Sequence, residues 1–549
     1  MEQYDKQGDM IRFDPLTGQP IDPNAAPPVR YDPETGVPVY ASEKAPVRSR
    51  PVCEKRDAVL AVLLAVVCIF LSDAILFAGL GLGGSIGLTL LLVLTVCYLW
   101  RSRSRLTLYG SFCAFGVLAL AVSMAFSDDG YLKFLAFLFC LLLSTILLLE
   151  LMRQRNYASG SIYAVADLSA MVFARPFGGL ADSLYALFHT RNPDGSVRKR
   201  RIGGILVGVG CAIPALGIVI PLLISSDAAF AGMIGSFHIE SLGFHIFAAI
   251  VGLLAAMLLF SQLFSLPADE KDPPQREPKS GWLDPAIPIS FLAVLGLVYL
   301  LYLISQAAYF FDGFRGLLPD GYTVAEYARR GFFEMSTLCI LNLGFVFLAL
   351  LLCKKKSDSF PFVLRLLALF VCLFSLLLIA TSISKMVLYI HSFGMTRLRI
   401  LTSAFMLWLA IVFLAVILRM FVRKTPYLKV AVIAAVLIIA VLNFANVDRI
   451  VAGYNVRAYQ DGRLEQIDMD MLRSLSDASV PYLVELLDDA DEKVADSAQM
   501  QLQRRASLLF EINPRNGQLL STAYDLRGFN LVEDQARRLI LENYDRIYP

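Results

Sequence analysis

Residues 58–80 read AVLAVLLAVVCIFLSDAILFAGL, and this run decides the class of fold. Asp73 is its single charged side chain, and about 20 apolar residues in a row are enough for a helix to cross a bilayer. Similar runs recur along the 549 residues, which are 57% hydrophobic and 17% charged, with a mean hydropathy of +0.61. A soluble fold could not bury so much apolar surface, so we predict an all-α, polytopic helical membrane protein.

Eleven apolar runs come close to the length of a membrane-spanning helix. The predicted spans are 58–80, 83–100, 107–126, 132–152, 203–224, 243–265, 286–310, 331–353, 360–388, 398–421 and 429–447. Glycines interrupt the second of these runs, and Pro214 and Pro221 interrupt the fifth.

Lysine and arginine cluster in alternate connections between the predicted spans. The connections after residues 100, 152, 265, 353 and 421 carry them, whereas the Gly81 corner, Ser127-Asp-Asp129 and the stretch 225–244 carry none. Because basic connections stay in the cytoplasm, we predict a cytoplasmic N-terminus and an extracytoplasmic C-terminus in a bacterial plasma membrane. Arg315, Arg329, Arg330, Arg397 and Arg399 fall on outward connections, which suggests that acidic partners or ligands hold them there.

Three further regions accompany the spans. Residues 1–57 form a polar tail in which a DPxTGxP pattern occurs twice, within Phe13–Ile21 and Tyr31–Val39; each copy could form a small hairpin and dock a protein partner. The loop 153–202 carries two apolar stripes typical of amphipathic helices lying on the membrane surface. The apolar pattern of residues 448–549 predicts a helical region, with a HEAT-like helix pair after Ser479. Units of this type usually contact other proteins.

The connection from Gln306 to Asn342 is more polar than a linker requires. Thr323-Val-Ala-Glu326 predicts a helix start, after which Glu326, Arg330 and Glu334 share one helix face. Asp312 and Arg315 precede them. Charges near hydrocarbon are costly unless they are paired, so we predict that this acid–base–acid ladder is paired or lines a cavity.

A second polar face lies on the ninth span, where Ser382, Lys385 and Tyr389 recur at helical spacing. Lys385 either reaches outward to the membrane surface or pairs with an acid, the candidates being Asp312, Glu334 and Asp73. We predict that this face and the ladder meet in an outward polar cluster. The remaining members are His391, Arg397 and Arg399, with Asn443 and Asn446 at the rim.

The chain has nine cysteines and four histidines, without a CxxC pair or an HExxH motif. We therefore expect no metal site built by the protein and no cofactor, and no motif indicates a nucleic-acid partner. Paired carboxylates beside a lysine suit acid–base chemistry as well as a structural network of ion pairs.

Several stretches resemble one uncharacterised bacterial membrane family, the domain of unknown function 4173, which is related to 4153. They are Ile224–Ala231, which includes Asp227, and also Tyr327–Glu334, Ser384–Arg399, Asn446–Asn455 and Val480–Leu486. The resemblance extends over roughly residues 55–500. It implies a membrane topology and adds weight to the candidate residues, with Asp227 as a secondary candidate, but it implies no activity.

Three classes of function remain open from the sequence. The leading interpretation is a non-enzymatic scaffold of the cell envelope for interaction or sensing, with protein partners at the N-terminal repeats and the C-terminal region. A secondary transporter or channel with a pathway along Asp73, Glu334 and Lys385 is the second, although no inverted repeat is evident. A membrane enzyme that acts on lipid-linked or cell-wall substrates, with Asp312 or Glu334 as acid or base, is the third.

Overall fold

The computed structural model describes most of the chain from residue 53 onward. The described residues are 30–31, 38–39, 53–100, 107–152, 157, 163–180, 182–191, 197–199, 242–264, 281–314, 332–354, 360–422, 425–512, 519–520 and 525–548, with scattered positions between 208 and 226. The predicted ladder residues Arg315, Glu326 and Arg330, the secondary candidate Asp227 and most of the predicted fifth span lie outside this part.

The described residues confirm a helical membrane protein, since nine of their helices are long and apolar enough to cross a bilayer. These are Lys55–Ala78, Leu82–Trp100, Gly130–Leu151, Gly243–Phe264, Ala286–Ser305, Glu334–Leu352, Phe362–Phe393, Arg397–Phe421 and Tyr427–Ala445. The predicted third span is a shorter apolar helix, Leu108–Ser123.

We number the helices in chain order. In the first half they are α1 Lys55–Asp73, extended by a π-helical turn Ala74–Ala78, then α2 Leu82–Trp100, α3 Leu108–Ser123, α4 Gly130–Leu151, α5 Ala164–Ser169, α6 Arg175–Gly178, α7 Asp182–Phe188 and α8 Leu242–Phe264. In the second half they are α9 Ala286–Phe314, α10 Phe332–Leu352, α11 Phe362–Phe393, α12 Arg397–Phe421, α13 Tyr427–Ala445, α14 Val447–Gln460, α15 Met469–Ser474, α16 Val480–Glu485, α17 Glu492–Leu509, α18 Leu531–Glu542 and α19 Tyr544–Ile547.

The membrane helices form two groups, each with its own apolar core. The first core lies among α1–α4 and α8, and the second among α9–α12. Helix α13 packs against α3 and α4 on one side and against α12 on the other, so it joins the two groups. We call the two groups together with α13 the bundle.

Small and polar residues fix the contacts within each group. The Ser72 hydroxyl of α1 donates to the Ala248 carbonyl of α8 at 2.6 Å, and a Cβ at Gly252 would lie 2.6 Å from the Cys68 carbonyl oxygen. In the second group the side chains of Tyr299, Asn342 and Ser375 form a buried hydrogen-bonded chain between three helices. Such contacts hold helices together where lipid removes the hydrophobic driving force.

Two parts of the described chain lie outside the spans and the C-terminal region. Helices α5–α7, with a π-helical segment Ala170–Ala174 between the first two, form the short helices expected in the loop 153–202. In the N-terminal tail, which is a separate unit, strand β1 Arg30–Tyr31 pairs antiparallel with β2 Pro38–Val39 and gives the second repeat its expected hairpin; the first repeat lies outside the described residues.

Helices α14–α19 form a third apolar core and make up the C-terminal region. Asn446 separates α13 from α14 in a left-handed conformation with φ 57°, so the chain turns sharply at the end of the last span. Helices α16 and α17 are the predicted pair after Ser479, and their relation to HEAT units stays a prediction.

Candidate functional site at the junction of the bundle and the C-terminal region

The C-terminal region packs onto one end of the bundle, and we call this contact the junction. Main-chain hydrogen bonds join the two sides: the Leu82 and Gly83 amides donate to the carbonyls of Phe529 and Arg527 at 2.9 and 2.8 Å, and the Leu531 amide donates to the Ala125 carbonyl at 2.9 Å. A Cβ at Gly81 would lie 2.6 Å from the Gly528 carbonyl oxygen, so glycine is required there for the two backbones to approach.

Arg397 is the central cation of the junction. Its Nε donates to Asp448 Oδ1 at 2.7 Å, its Nη2 contacts Asp448 Oδ2, and Nε lies 3.4 Å from Asp129 Oδ2. Asp448 is 0% exposed and Asp129 is 2% exposed, whereas the arginine side chain is 34% exposed. Both buried carboxylates contact this one arginine, and removing it would leave Asp448 without its ion pair and Asp129 with only the charge of the nearby buried Lys133.

Both carboxylates also order the local backbone. Asp129 caps α4 by accepting from the Tyr131 amide at 2.9 Å and the Leu132 amide at 3.2 Å. Asp448 Oδ2 accepts from the Ser476 amide at 2.8 Å. The arginine thus connects a helix start of the first group to α14 and to the segment that precedes α16.

Asp128 lies beside this cluster among other acids. Its carboxylate accepts from the Asp477 amide at 3.2 Å and from the Asn530 side chain at 3.5 Å, while Asp477 pairs with Arg505 at 2.6 Å. Burial, followed by the charge of Asp477, raises the pKa of Asp128 to about 6. Asp128 therefore binds a proton more readily than an exposed aspartate does.

A second charged contact lies at the other edge of the junction. Asp73 near the end of α1 contacts Arg527 through Oδ2, and its Oδ1 lies 2.5 Å from His245 Nδ1. The His245 ring stacks on Phe77 at 4.1 Å between centroids. A third contact is neutral: Asn455 donates to the Met395 carbonyl at 2.7 Å and accepts from the Met395 amide at 2.8 Å.

The structure brings only some of the predicted site residues together. Arg397 has the acidic partners expected of an outward arginine, and Arg399 lies over the Tyr389 ring at 4.0 Å. Asp73, a candidate partner of Lys385, instead pairs with Arg527 and His245. Lys385 is half-buried on α11, and His391 and Glu334 are exposed.

The other predicted positions are spread over the bundle. Asp312 lies near the end of α9, where the structure describes only the backbone. Asn443 is fully buried and donates to the Leu132 and Ile439 carbonyls, so it links α13 to α4. Asn446 is 6% exposed at the turn into the C-terminal region, so it belongs to the junction rather than to the rim of a pocket.

Sequence reasoning missed the acids that carry the junction: Asp128, Asp129, Asp448 and Asp477. The connection Ser127-Asp-Asp129 drew attention only because it lacks lysine and arginine, and Asp448 followed a span like any solvated helix start. Their burial arises from residues far away in the chain, so no local pattern reports it.

Chemically, the junction is a set of paired charges and hydrogen-bonded amides, which suits holding two parts of the molecule together. Within the described ranges, no group of three or more metal-ligating side chains is arranged to hold an ion.

Comparison with known protein families gives a match. The family profile described as "Domain of unknown function (DUF4153)" matches residues 114–486, which is more than half of the chain. The match is to 4153, and the related family 4173 is not matched. No curated protein and no solved structure matches the chain. The matched segment runs from α3 to α16 and contains Asp129, Arg397 and Asp448, so the family domain crosses the junction instead of ending at the last span.

Proposed function

This chain belongs to the DUF4153 family, and we propose that it is an integral membrane scaffold that holds its C-terminal region rigidly at the outer face of a cell membrane, where that region binds a protein partner. The observation that carries the proposal is the ion cluster of Arg397, Asp448 and Asp129. A region that moved freely would gain nothing from burying two carboxylates against the end of the bundle.

Charge distribution supports the outer face. The Gly81 corner, the Ser127–Asp129 connection and the turn at Gly394 meet the same C-terminal region. Sequence analysis assigns these connections to the outside, because the lysine-rich and arginine-rich connections alternate with them. The chain has nine native cysteines, of which Cys97 is exposed, so single cysteines are introduced into α17 of a variant in which the native cysteines are replaced and are labelled in intact cells with a membrane-impermeant reagent. Labelling only after the membrane is opened would contradict the outward orientation.

Helix α17 offers the surface for a partner. Met500 and Leu508 are 63% and 77% exposed, and Arg504 between them is also exposed. Residues four apart along a helix share a face, so these three side chains form one strip. Methionine, arginine and exposed leucine in such a strip suit a protein contact better than contact with water.

The test uses a photo-crosslinking amino acid at position 500 or 508 of the full chain in living cells. We expect a discrete protein adduct at both positions, a much weaker one at Leu541, which is 49% exposed on α18, and loss of the adduct when Arg397→Ala is added. Equal crosslinking at all three positions, or an adduct that survives Arg397→Ala, would contradict a rigidly presented surface.

The transporter and enzyme alternatives gain no comparable support. Asp73 is occupied by Arg527 and His245 at the end of the bundle. Glu334 is exposed at the start of α10, which does not favour the sheltered site that an acid or base requires.

A further inference from the structure

A cavity of about 390 Å³ lies at the opposite end of the bundle from the junction. It is open on one side and lined by α3, α4, α13 and the segment 164–173. Helix α4 relates the two ends: Asp129 caps its start at the junction, whereas Glu150, near its last turn, lines the cavity. At 1.5 Å per residue the two ends of this helix are about 30 Å apart, the thickness of the hydrocarbon core.

The cavity lining is mostly apolar, and its acidic residues lie at one end. Leu142 and Ile146 line its deeper part together with Val432 of α13, and Glu150 lines the part nearest the membrane boundary. Leu142 and Glu150 are eight residues apart, so the apolar part extends about 12 Å inward along α4. Such a lining suits a lipid, because the apolar part can contact an acyl chain and the acidic end can contact a polar headgroup.

Acidic side chains line the boundary end, and a lysine lies close to it. Glu150 and Asp167 are 4% and 6% exposed and line the cavity, and the Thr107 hydroxyl donates to Glu150 at 2.8 Å. The Lys429 ammonium lies 4.5 Å from the ring centroid of Tyr109, which is also a lining residue. Asp167 also accepts from the Tyr157 amide at 3.0 Å and lies near the Arg175 guanidinium, so two acids and two basic groups together complement a headgroup that carries an ammonium beside a phosphate.

The outer wall is a segment suited to the membrane surface. Val165, Val172 and Phe173 are 49%, 40% and 67% exposed, and all three also line the cavity. Exposed apolar side chains on a short helix beside the spans fit a helix that lies in the interface, next to the lipids that could enter.

We propose that this cavity binds one phospholipid with an ammonium-bearing, zwitterionic headgroup, of the phosphatidylethanolamine class. Its acyl chain lies against Leu142, Ile146 and Val432. Its ammonium faces Glu150 and Asp167, and its phosphate faces Lys429. The site is independent of the scaffold function, since no residue that lines the cavity takes part in the junction.

The test is native mass spectrometry of the full chain, released from nanodiscs that contain equal amounts of phosphatidylethanolamine and phosphatidylglycerol. We expect one retained phosphatidylethanolamine per protein and at least a tenfold preference over phosphatidylglycerol. Val432→Trp, which fills the deep part, is expected to lower retention at least tenfold, and Val172→Trp provides the same test from the outer wall.

Ala174→Trp is the matched control, because Ala174 is exposed on the same segment and does not line the cavity. It is expected to leave retention unchanged. Asp167→Asn is expected to reduce the preference between the two lipids without abolishing retention. No retained lipid, an equal or reversed preference in the wild type, or unchanged retention in both filled variants would overturn the proposal.

Discussion

Replacing Arg397 by alanine tests whether the ion cluster holds the C-terminal region on the bundle. The change removes the hydrogen bond to Asp448 at 2.7 Å and the contact with Asp129 at 3.4 Å. It leaves Asp448, which is 0% exposed, without its ion pair, and Asp129, which is 2% exposed, with only the charge of the nearby Lys133. Breaking a buried pair in this way costs about 3–5 kcal/mol. Because the arginine side chain is one-third exposed, we expect the lower end, about 3 kcal/mol.

The assay is hydrogen–deuterium exchange of the junction amides in detergent or nanodiscs. The Leu82, Gly83 and Leu531 amides cross the junction, so they report undocking even when both sides stay folded. Since each 1.4 kcal/mol is a factor of ten, about 3 kcal/mol predicts exchange roughly a hundredfold faster at these three positions. Amides in the middle of α11 are expected to keep wild-type protection.

Two variants sharpen the test. Arg463→Ala is the control, because its pair with Asp461 is 3.0 Å long but both side chains are largely exposed, and such pairs contribute at most about 1 kcal/mol. Adding Asp448→Asn to Arg397→Ala is expected to recover part of the loss, since the amide needs no cation and its oxygen can still accept from Ser476. If the junction amides exchange no faster in Arg397→Ala than in Arg463→Ala, the cluster does not hold the junction.

Two further perturbations address the same interface. Burial raises the pKa of Asp128 to about 6 from its ordinary 3.8, so the docked state binds a proton more readily than the undocked state does. Docking is therefore expected to strengthen as the pH falls through 6 and to gain nothing more below about pH 4. At pH 7.5 Asp128→Asn should therefore stabilise the junction by up to about 3 kcal/mol, and its stability should depend less on pH between 5 and 8 than that of the wild type. The measurement is the thermal unfolding midpoint of both proteins across this range. A midpoint difference between them that does not change with pH would refute the prediction. Gly394→Ala is expected to destabilise the junction by about 2 kcal/mol or more, because φ is 76° and the new Cβ would lie 2.3 Å from the Asn455 amide oxygen. Gly462→Ala is its control, with φ 71° and no atom within 4 Å of the new Cβ, so thermal unfolding should show only the smaller cost of the left-handed backbone.

The sequence by itself determined the membrane class and the position of most spans. Whether a segment can cross a bilayer depends on a local count of apolar residues, and α1 or α11 satisfies that count whatever surrounds it. The alternation of basic and non-basic connections then indicated which connections lie on the same side of the membrane. The described connections at Gly81, Asp128 and Gly394 do contact the same C-terminal region.

Only the tertiary structure decided which charges matter. Asp448 has the sequence context of an exposed helix start, and it is buried because α14 folds back onto the end of the bundle. Arg397 was suspected from its side of the membrane, yet its partners come from 51 residues later in the chain and from the start of α4. Burial and ion pairing depend on contacts between segments distant in sequence. A local pattern therefore predicts the helices, and the way they pack selects the site.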